Sequence, residues 1–321
     1  MISGRTIGGR PLSRIVLGCE PLGGTDWGIT DATAAVDAVK EAVKRGITAF
    51  DVADVYGLGR AETRLGQVLG ALKAEFLVMT KGGVRWWGSE GGRATTATDS
   101  SAKYLRQAVE ASLERLQMDF IPLYFLHRTD PDVPIEESVG ALARLVEAGL
   151  LGAIGICNVG ADEIRRAHAV HALAAVQFEF SLLKREAETD LIPVCGELGI
   201  AALAHGSLAQ GLLTGKYSRQ SRFGIEDRRH RLPLFAELAE GNHDQILEHL
   251  RTIAQKHGSS QAQVALSWVL SRPAIAAVIA GAKNGEQVFD NAASLDLRLD
   301  STDCQLLDLA STERQGSDRA I

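Results

Sequence analysis

Short apolar runs alternate with amphipathic stretches along nearly the whole chain. Runs at 14–18, 47–50, 76–80, 121–126, 152–156, 174–178, 200–204 and 275–279 are short enough for buried strands. Between them, apolar residues recur at helical spacing, as in Ala35, Val36, Val39 and Val43, or Leu105, Val109, Leu113 and Leu116. The spacing predicts helices at 31–45 (capped by Thr30 or Asp31), from about 60, and at 101–117, 135–148, 161–171, 187–198, 243–257, 260–271, 284–293 and 302–311. Residues 2–13 read as a hairpin with Gly-Gly at its turn. Eight strands, each followed by helix, predict an α/β protein built as a (β/α)8 TIM barrel, with an N-terminal hairpin and extra C-terminal helices. A doubly wound sheet is the alternative, but no GxGxxG follows any strand; GLGRAE at 57–62 lacks the last glycine. A loop covers 82–98. The polar stretch 217–242 is too long for an ordinary connection and predicts a flap. No repeat, linker or low-complexity segment interrupts the pattern, so residues 1–321 are expected to form one domain.

Composition narrows the function classes. The net charge of −6 comes from intermixed acids and bases, leaving no basic face for nucleic acid and no polybasic patch for a membrane. Cys19, Cys157, Cys195 and Cys304 lie far apart with no CxxC, which argues against disulfides and a metal site. No apolar run approaches the ~18 residues of a membrane span, and the amino terminus lacks a signal-peptide core. A cytoplasmic protein is expected.

The candidate chemistry lies at strand ends, where parallel α/β folds collect ligands. The run 47–50 stops at Asp51 and its loop presents Tyr56; the next run ends at Lys81 and the one after at His127. Taken singly, each has an ordinary structural reading: a cap, a packed aromatic, a solvated amine, a hydrogen-bonded imidazole. Together they match one reaction. Hydride delivered to a carbonyl carbon leaves charge on oxygen, which needs a proton. Tyr56 would donate it. Lys81 would lower the phenol's pKa, Asp51 would keep the ammonium charged, and His127 would orient the carbonyl.

The motifs FDVADVYG (50–57), TK (80–81) and LHRTDP (126–131) resemble the aldo-keto reductase superfamily. The run PIEESVGALARLVEAGLLGAIGICNV (134–159) is similar to its long-chain branch, which includes potassium-channel β-subunits. The resemblance spans about residues 4–310. It implies an NADPH/NADP+ cofactor, with NAD(H) as the lesser alternative, lying extended across the rim. It also implies the catalytic tetrad Asp51, Tyr56, Lys81 and His127. Cys157, Asn158 and Gln177 fall where relatives hold the nicotinamide amide, with Cys157 in place of the usual Ser. In HGSLAQGLLTGK (205–216), His205 replaces a stacking aromatic and Gly206-Ser207 replaces Ser-Pro; Leu208, Gln210 and Lys216 continue along the cofactor. An imidazole at position 205 could titrate near neutrality and make cofactor affinity depend on pH. GAKNGEQVFDN (281–291) resembles the adenosine-phosphate clasp, with Gly281 and Lys283 on phosphate and Gln287, Asp290 and Asn291 at the adenine end. A helix start plus a lysine suits a 2′-phosphate on physical grounds as well. Cys19, Glu20 and Thr25 correspond to the nicotinamide-ribose wall, where Glu20 has no assigned role.

Trp27, Trp86 and Trp87, together with Tyr56 and His127, are expected to wall the substrate pocket. The five-arginine run 219–231 reads as a solvated loop, and Arg128 and Asp130 as paired within theirs. The leading expectation is NADPH-dependent reduction of an aldehyde or ketone, sugar-derived in one version. The alternatives are an NADP(H)-binding regulatory subunit with little turnover and a non-redox epimerase using bound NADP. A small-molecule carbonyl substrate is the expected partner; the physiological substrate, reaction direction and oligomeric state stay open.

Overall fold

The computed structural model describes residues 2–28, 31–88 and 94–317. The alternative cap Thr30 and part of the loop 82–98 lie outside these residues. The chain opens with an antiparallel hairpin, β1 (Ile2–Ile7) and β2 (Arg10–Ser13), turned by Gly8 and Gly9 at positive φ. Eight parallel strands then close a barrel: β3 (Ile15–Gly18), β4 (Ala49–Asp51), β5 (Leu77–Gly82), β8 (Leu123–Leu126), β9 (Ile154–Cys157), β10 (Leu173–Glu179), β11 (Ala201–His205) and β12 (Ile275–Gly281). After β5, the inserted hairpin β6 (Val84–Trp87) and β7 (Thr95–Thr98) replaces the expected loop. Its alternating Thr and Ala positions face solvent, so no apolar stripe marked it in the sequence.

Helices flank the strands: α1 (Ala32–Lys44), α2 (Arg60–Leu69), α3 (Ala102–Leu116), α4 (Ile135–Glu147), α5 (Ala161–Val170) and α6 (Leu191–Leu198). Beyond β11 come α7 (Pro233–Glu240), α8 (Asp244–His257) and α9 (Gln261–Leu270); α10 (Gly285–Ala293) and α11 (Ser301–Ser317) follow β12. Side-chain caps fix several starts. Asp31 accepts the Thr33 N–H at 2.8 Å, and Asn284 accepts that of Gln287 at 2.9 Å. The helix expected from residue 187 begins at Leu191, where Asp190 accepts the first amide; residues 186–188 form a separate 3₁₀ turn.

The strand period of two separates an outer core from an inner one. Phe50, Val78, Tyr124 and Val176 point out against the helices. Val16, Ala49, Leu77, Met79, Leu123, Phe125, Ala175 and Leu203 point in and fill the lumen. Ile7 and Leu12 of the hairpin join that inner cluster and plug the barrel's amino-terminal end. One step further along the strands, the inward positions turn polar.

Candidate active site

The alternation that places Ala49 and Met79 inside the barrel also places Asp51 and Lys81 there, one layer nearer the carboxyl end. Lys81 Nζ donates to Asp51 Oδ1 and Oδ2 at 2.8 and 2.7 Å and to the Val52 carbonyl at 2.9 Å. Gln177 crosses from β10 and donates to Asp51 Oδ1 at 2.7 Å. The carboxylate is thereby held by three donated hydrogen bonds from two strands. Lys81 Nζ lies 5.2 Å from the centroid of the Tyr56 ring, and His127 stands edge-on to that ring with centroids 6.1 Å apart. Tyr56 is positioned by glycine. At Gly57 (φ +60°), a β-carbon would meet the Gly23 carbonyl oxygen at 2.4 Å, so only glycine lets the loops after β3 and β4 touch.

Burial sets the protonation states. Desolvation pushes the Tyr56 phenol above its ordinary value, and Lys81 pulls back against that shift without reversing it. The expected net lowering by the ammonium is therefore not what the site shows: the phenol is held in its proton-bearing form. Desolvation most strongly opposes the Lys81 charge, but Asp51, Tyr56 and Cys157 together outweigh it and raise the amine. His127 is driven well below its usual value by burial and by the neighbouring cations Lys81 and Arg128, which makes it a neutral imidazole. His205 falls to about 4, chiefly by desolvation. It does not titrate near neutrality, so the expected pH-sensitive cofactor contact is not there. Behind the site, Asp54 is pushed up to about 8 by burial and by Glu62. One of its carboxyl oxygens has no hydrogen-bond partner, and its amide donates to the Lys81 carbonyl at 3.3 Å.

A cavity of about 610 Å³ runs from these groups along the rim. At the tetrad end, Asp51, Tyr56, Lys81 and His127 share its wall with Cys157, Asn158, Gln177 and His205. The Cys157 thiol donates weakly to Gln177 Oε1 at 3.6 Å, and Asn158 donates to the His127 carbonyl at 2.8 Å. Gly206, Ser207, Leu208, Gln210 and Lys216 line the middle. Gly281, Lys283, Gln287, Asp290 and Asn291 line the far end. There Lys283 Nζ donates to the Trp27 carbonyl at 2.6 Å, and the Lys283 amide donates to Gln287 Oε1 at 2.8 Å. Asp290 accepts from Ser260 and Gln263, at 2.9 and 2.6 Å. Glu20 and Trp27 also line the cavity.

Several expectations fail on geometry. Cys19 turns its thiol toward the Leu17 carbonyl inside the core, and Thr25 does not reach the cavity. Trp86 and Trp87 ride the β6–β7 hairpin away from the tetrad and edge a separate shallow cleft with Arg85, Asp99 and Asp130. Of the expected tryptophans, Trp27 alone lines the main cavity. Arg128 does not pair within its loop; its side chain looks into the cavity beside His127. Asp130 instead caps the turn by accepting the Asp132 amide at 3.0 Å.

Within the run 219–231, read as a solvated loop, most residues are exposed, but Asp227 and Arg229 pack inward. Arg229 is 7% exposed, paired with Asp227 and enclosed by Tyr217 and Phe223, whose rings pack edge-on with Phe235. Arg228 pairs with Glu20 and Asp26, giving Glu20 its role, and Arg231 also pairs with Asp26. Phe223, Phe235 and the adjoining Asp-Arg-Arg were the available signal: aromatics beside interleaved charges pack more readily than they float.

A closed parallel barrel with a buried acid–amine pair, a phenol and an imidazole at the carboxyl rim of one long cavity is the architecture of a nicotinamide-dependent carbonyl oxidoreductase. The chain belongs to the aldo/keto reductase family, whose model matches residues 14–311. It is 34% identical over 296 residues to "Probable aldo-keto reductase 1" of Glycine max, covering 92% of this chain and 84% of that one. It is 32% identical over 279 residues to "Aldo-keto reductase YhdN" of Bacillus subtilis (strain 168), covering 86% and 83%. Among solved structures it is similar to the glycerol dehydrogenase AKR11B4 from Gluconobacter oxydans (30% identity, TM-score 0.87, 98% and 95% covered). It is also similar to the holo form of aldo-keto reductase AKR11C1 from Bacillus halodurans (27%, 0.76, 95% of each). The chain is an NAD(P)H-dependent oxidoreductase acting on alcohol or carbonyl groups. Among the described residues, no cluster could hold a metal ion and no helix is long and apolar enough to cross a membrane.

Proposed function

We propose that this protein reduces a small aldehyde or ketone, with NADPH as cofactor and Tyr56 as the general acid, in the cytoplasm. The observation that carries the reading is the buried Asp51–Lys81 pair beside the Tyr56 ring, opening into a cavity of about 610 Å³.

The residues present suit that cofactor. Gln177 and Asn158 offer amide groups at the tetrad end and Ser207 a hydroxyl in the middle; Lys216, Arg228, Arg229 and Lys283 add positive charge beyond the tetrad. The bound cofactor supplies hydride to the carbonyl carbon. The chain supplies the rest. Neutral His127 donates a hydrogen bond that orients the carbonyl, while the protonated phenol of Tyr56 passes its proton to the oxygen as charge develops there. Lys81, kept charged by Asp51, stabilises the phenolate left behind. The raised phenol pKa ensures that the donor is loaded across the neutral range. The likeness to a glycerol dehydrogenase supports a hydroxylated, sugar-derived carbonyl as substrate.

Lys283 supports NADP over NAD. It extends from β12 at half-buried depth, and its side chain is free to exchange the Trp27 carbonyl for a 2′-phosphate. Tyr56→Phe should lower kcat by about a thousandfold or more while leaving NADPH affinity within about twofold. Turnover close to wild type would remove Tyr56 from the chemistry. Lys283→Ala should weaken NADPH by about tenfold and NADH hardly at all, as titrated by fluorescence; equal weakening of both would remove the 2′-phosphate contact.

A further inference from the structure

Six cationic side chains line the main cavity, and most are already committed. Lys81 is bound to Asp51, Arg228 to Glu20, Arg229 to Asp227, and Lys283 to the Trp27 carbonyl. Lys216 stands toward the flap, 6.0 Å from the centre of the Tyr217 ring. Arg128 is different. It follows His127 directly, the residue is exposed, and it forms no ion pair or side-chain hydrogen bond with any described residue. Its charge reaches the reaction centre, where it disfavours protonation of His127.

Among the described residues, the acids that line this end of the cavity are already engaged. Asp51 is saturated by Lys81 and Gln177, and Glu20 is held by Arg228. Among the described residues, the reacting end of the cavity therefore presents one surplus guanidinium. Its fork of N–H donors matches the two oxygens of a carboxylate or phosphate. Arg128, Tyr56 and His127 line the same cavity, so a ligand whose carbonyl meets Tyr56 and His127 can carry an anionic group toward that fork.

We propose that Arg128 selects the substrate, and that the substrate is a carbonyl compound carrying a carboxylate or phosphate group. This deepens the reductase reading and rests on it. Arg128 binds the anion, while the hydride and proton transfers proceed at the tetrad unchanged.

Steady-state kinetics with NADPH test the proposal on matched aldehydes: 4-formylbenzoate against its neutral methyl ester, and glyceraldehyde 3-phosphate against glyceraldehyde. Wild type should show a KM about tenfold or more lower for at least one anionic member, the pair affected distinguishing carboxylate from phosphate. Arg128→Gln should erase that preference with kcat and the neutral substrates nearly unchanged, and Arg128→Lys should restore part of it. No preference in wild type, or an equal loss on charged and neutral substrates in Arg128→Gln, would overturn it. Calorimetric binding of benzoate against benzamide to the NADP+-saturated protein needs no turnover. Were no aldehyde reduced, Arg128-dependent benzoate binding would uphold the anion site while removing the reductase reading. Its absence would remove both.

Discussion

At the residue scale, the site shows burial and charge opposing each other with different winners. For Lys81 desolvation is the largest single influence, yet Asp51, Tyr56 and Cys157 together exceed it; for Tyr56 desolvation exceeds the attraction of Lys81. That outcome could not be read from the motif, because spacing names neighbours but not how much water they lose. Asp54 carries a similar hidden consequence. Its folded carboxyl holds a proton up to about pH 8, whereas in the unfolded chain it ionises near its ordinary value. Between those values the folded state binds the extra proton, so this group makes stability fall as pH rises. His205 acts in the opposite sense, since its depressed pKa makes stability rise between about pH 4 and the ordinary imidazole value. Above that value Asp54 can be read separately. Asp54→Asn, which mimics the protonated acid, should therefore shrink the loss of melting temperature between about pH 6.5 and 8.5. An unchanged slope in thermal melts would exclude Asp54 as its source.

Elements were legible where their period was strong. The eight barrel strands carry inward and outward apolar residues without a gap, and each was visible as a run. The convergence of Asp51, Lys81 and His127 was legible too, because strand ends are marked by the first polar residue after such a run, whereas Tyr56 sits on the loop after β4 and was named by its motif. The β6–β7 hairpin was not, since both strands are largely solvated and Trp86 and Trp87 suggested a pocket wall. The flap misled in the opposite direction. Its Arg-rich composition concealed that Arg229 is the centre of an aromatic cage, which only tertiary contact reveals. Arg229→Met keeps much of the volume but leaves Asp227 without its partner. It should expose 217–242 to limited proteolysis and lower the melting temperature by a few degrees. Cleavage rates equal to wild type would show that the cage does not hold the flap.

At the scale of the whole molecule, the barrel is filled at one end and open to chemistry at the other. The hairpin plug belongs to the inner core: Leu12 is fully buried against lumen residues supplied by strands far apart in sequence. Leu12→Ala should cost about 2–5 kcal/mol, because those staves cannot close around the space left. Chemical denaturation checks this, and a loss below about 1 kcal/mol would mean that the barrel seals without the plug. The tetrad geometry lies several layers away, so kcat of the folded fraction should not change.

The bridge from Arg228 and Arg231 to Glu20 and Asp26 joins segments following β11 and β3, two strands that are not neighbours. Between them stands β12, whose carboxyl end leads into Lys283. The ion pairs thus form an arch over that end of the groove. A dinucleotide lying beneath the arch would be threaded rather than merely seated, and its departure would wait on the parting of charges that dissolved salt weakens. On that reading, raising the salt concentration should speed release of the spent cofactor without changing the rate of proton transfer, which stopped-flow fluorescence would check.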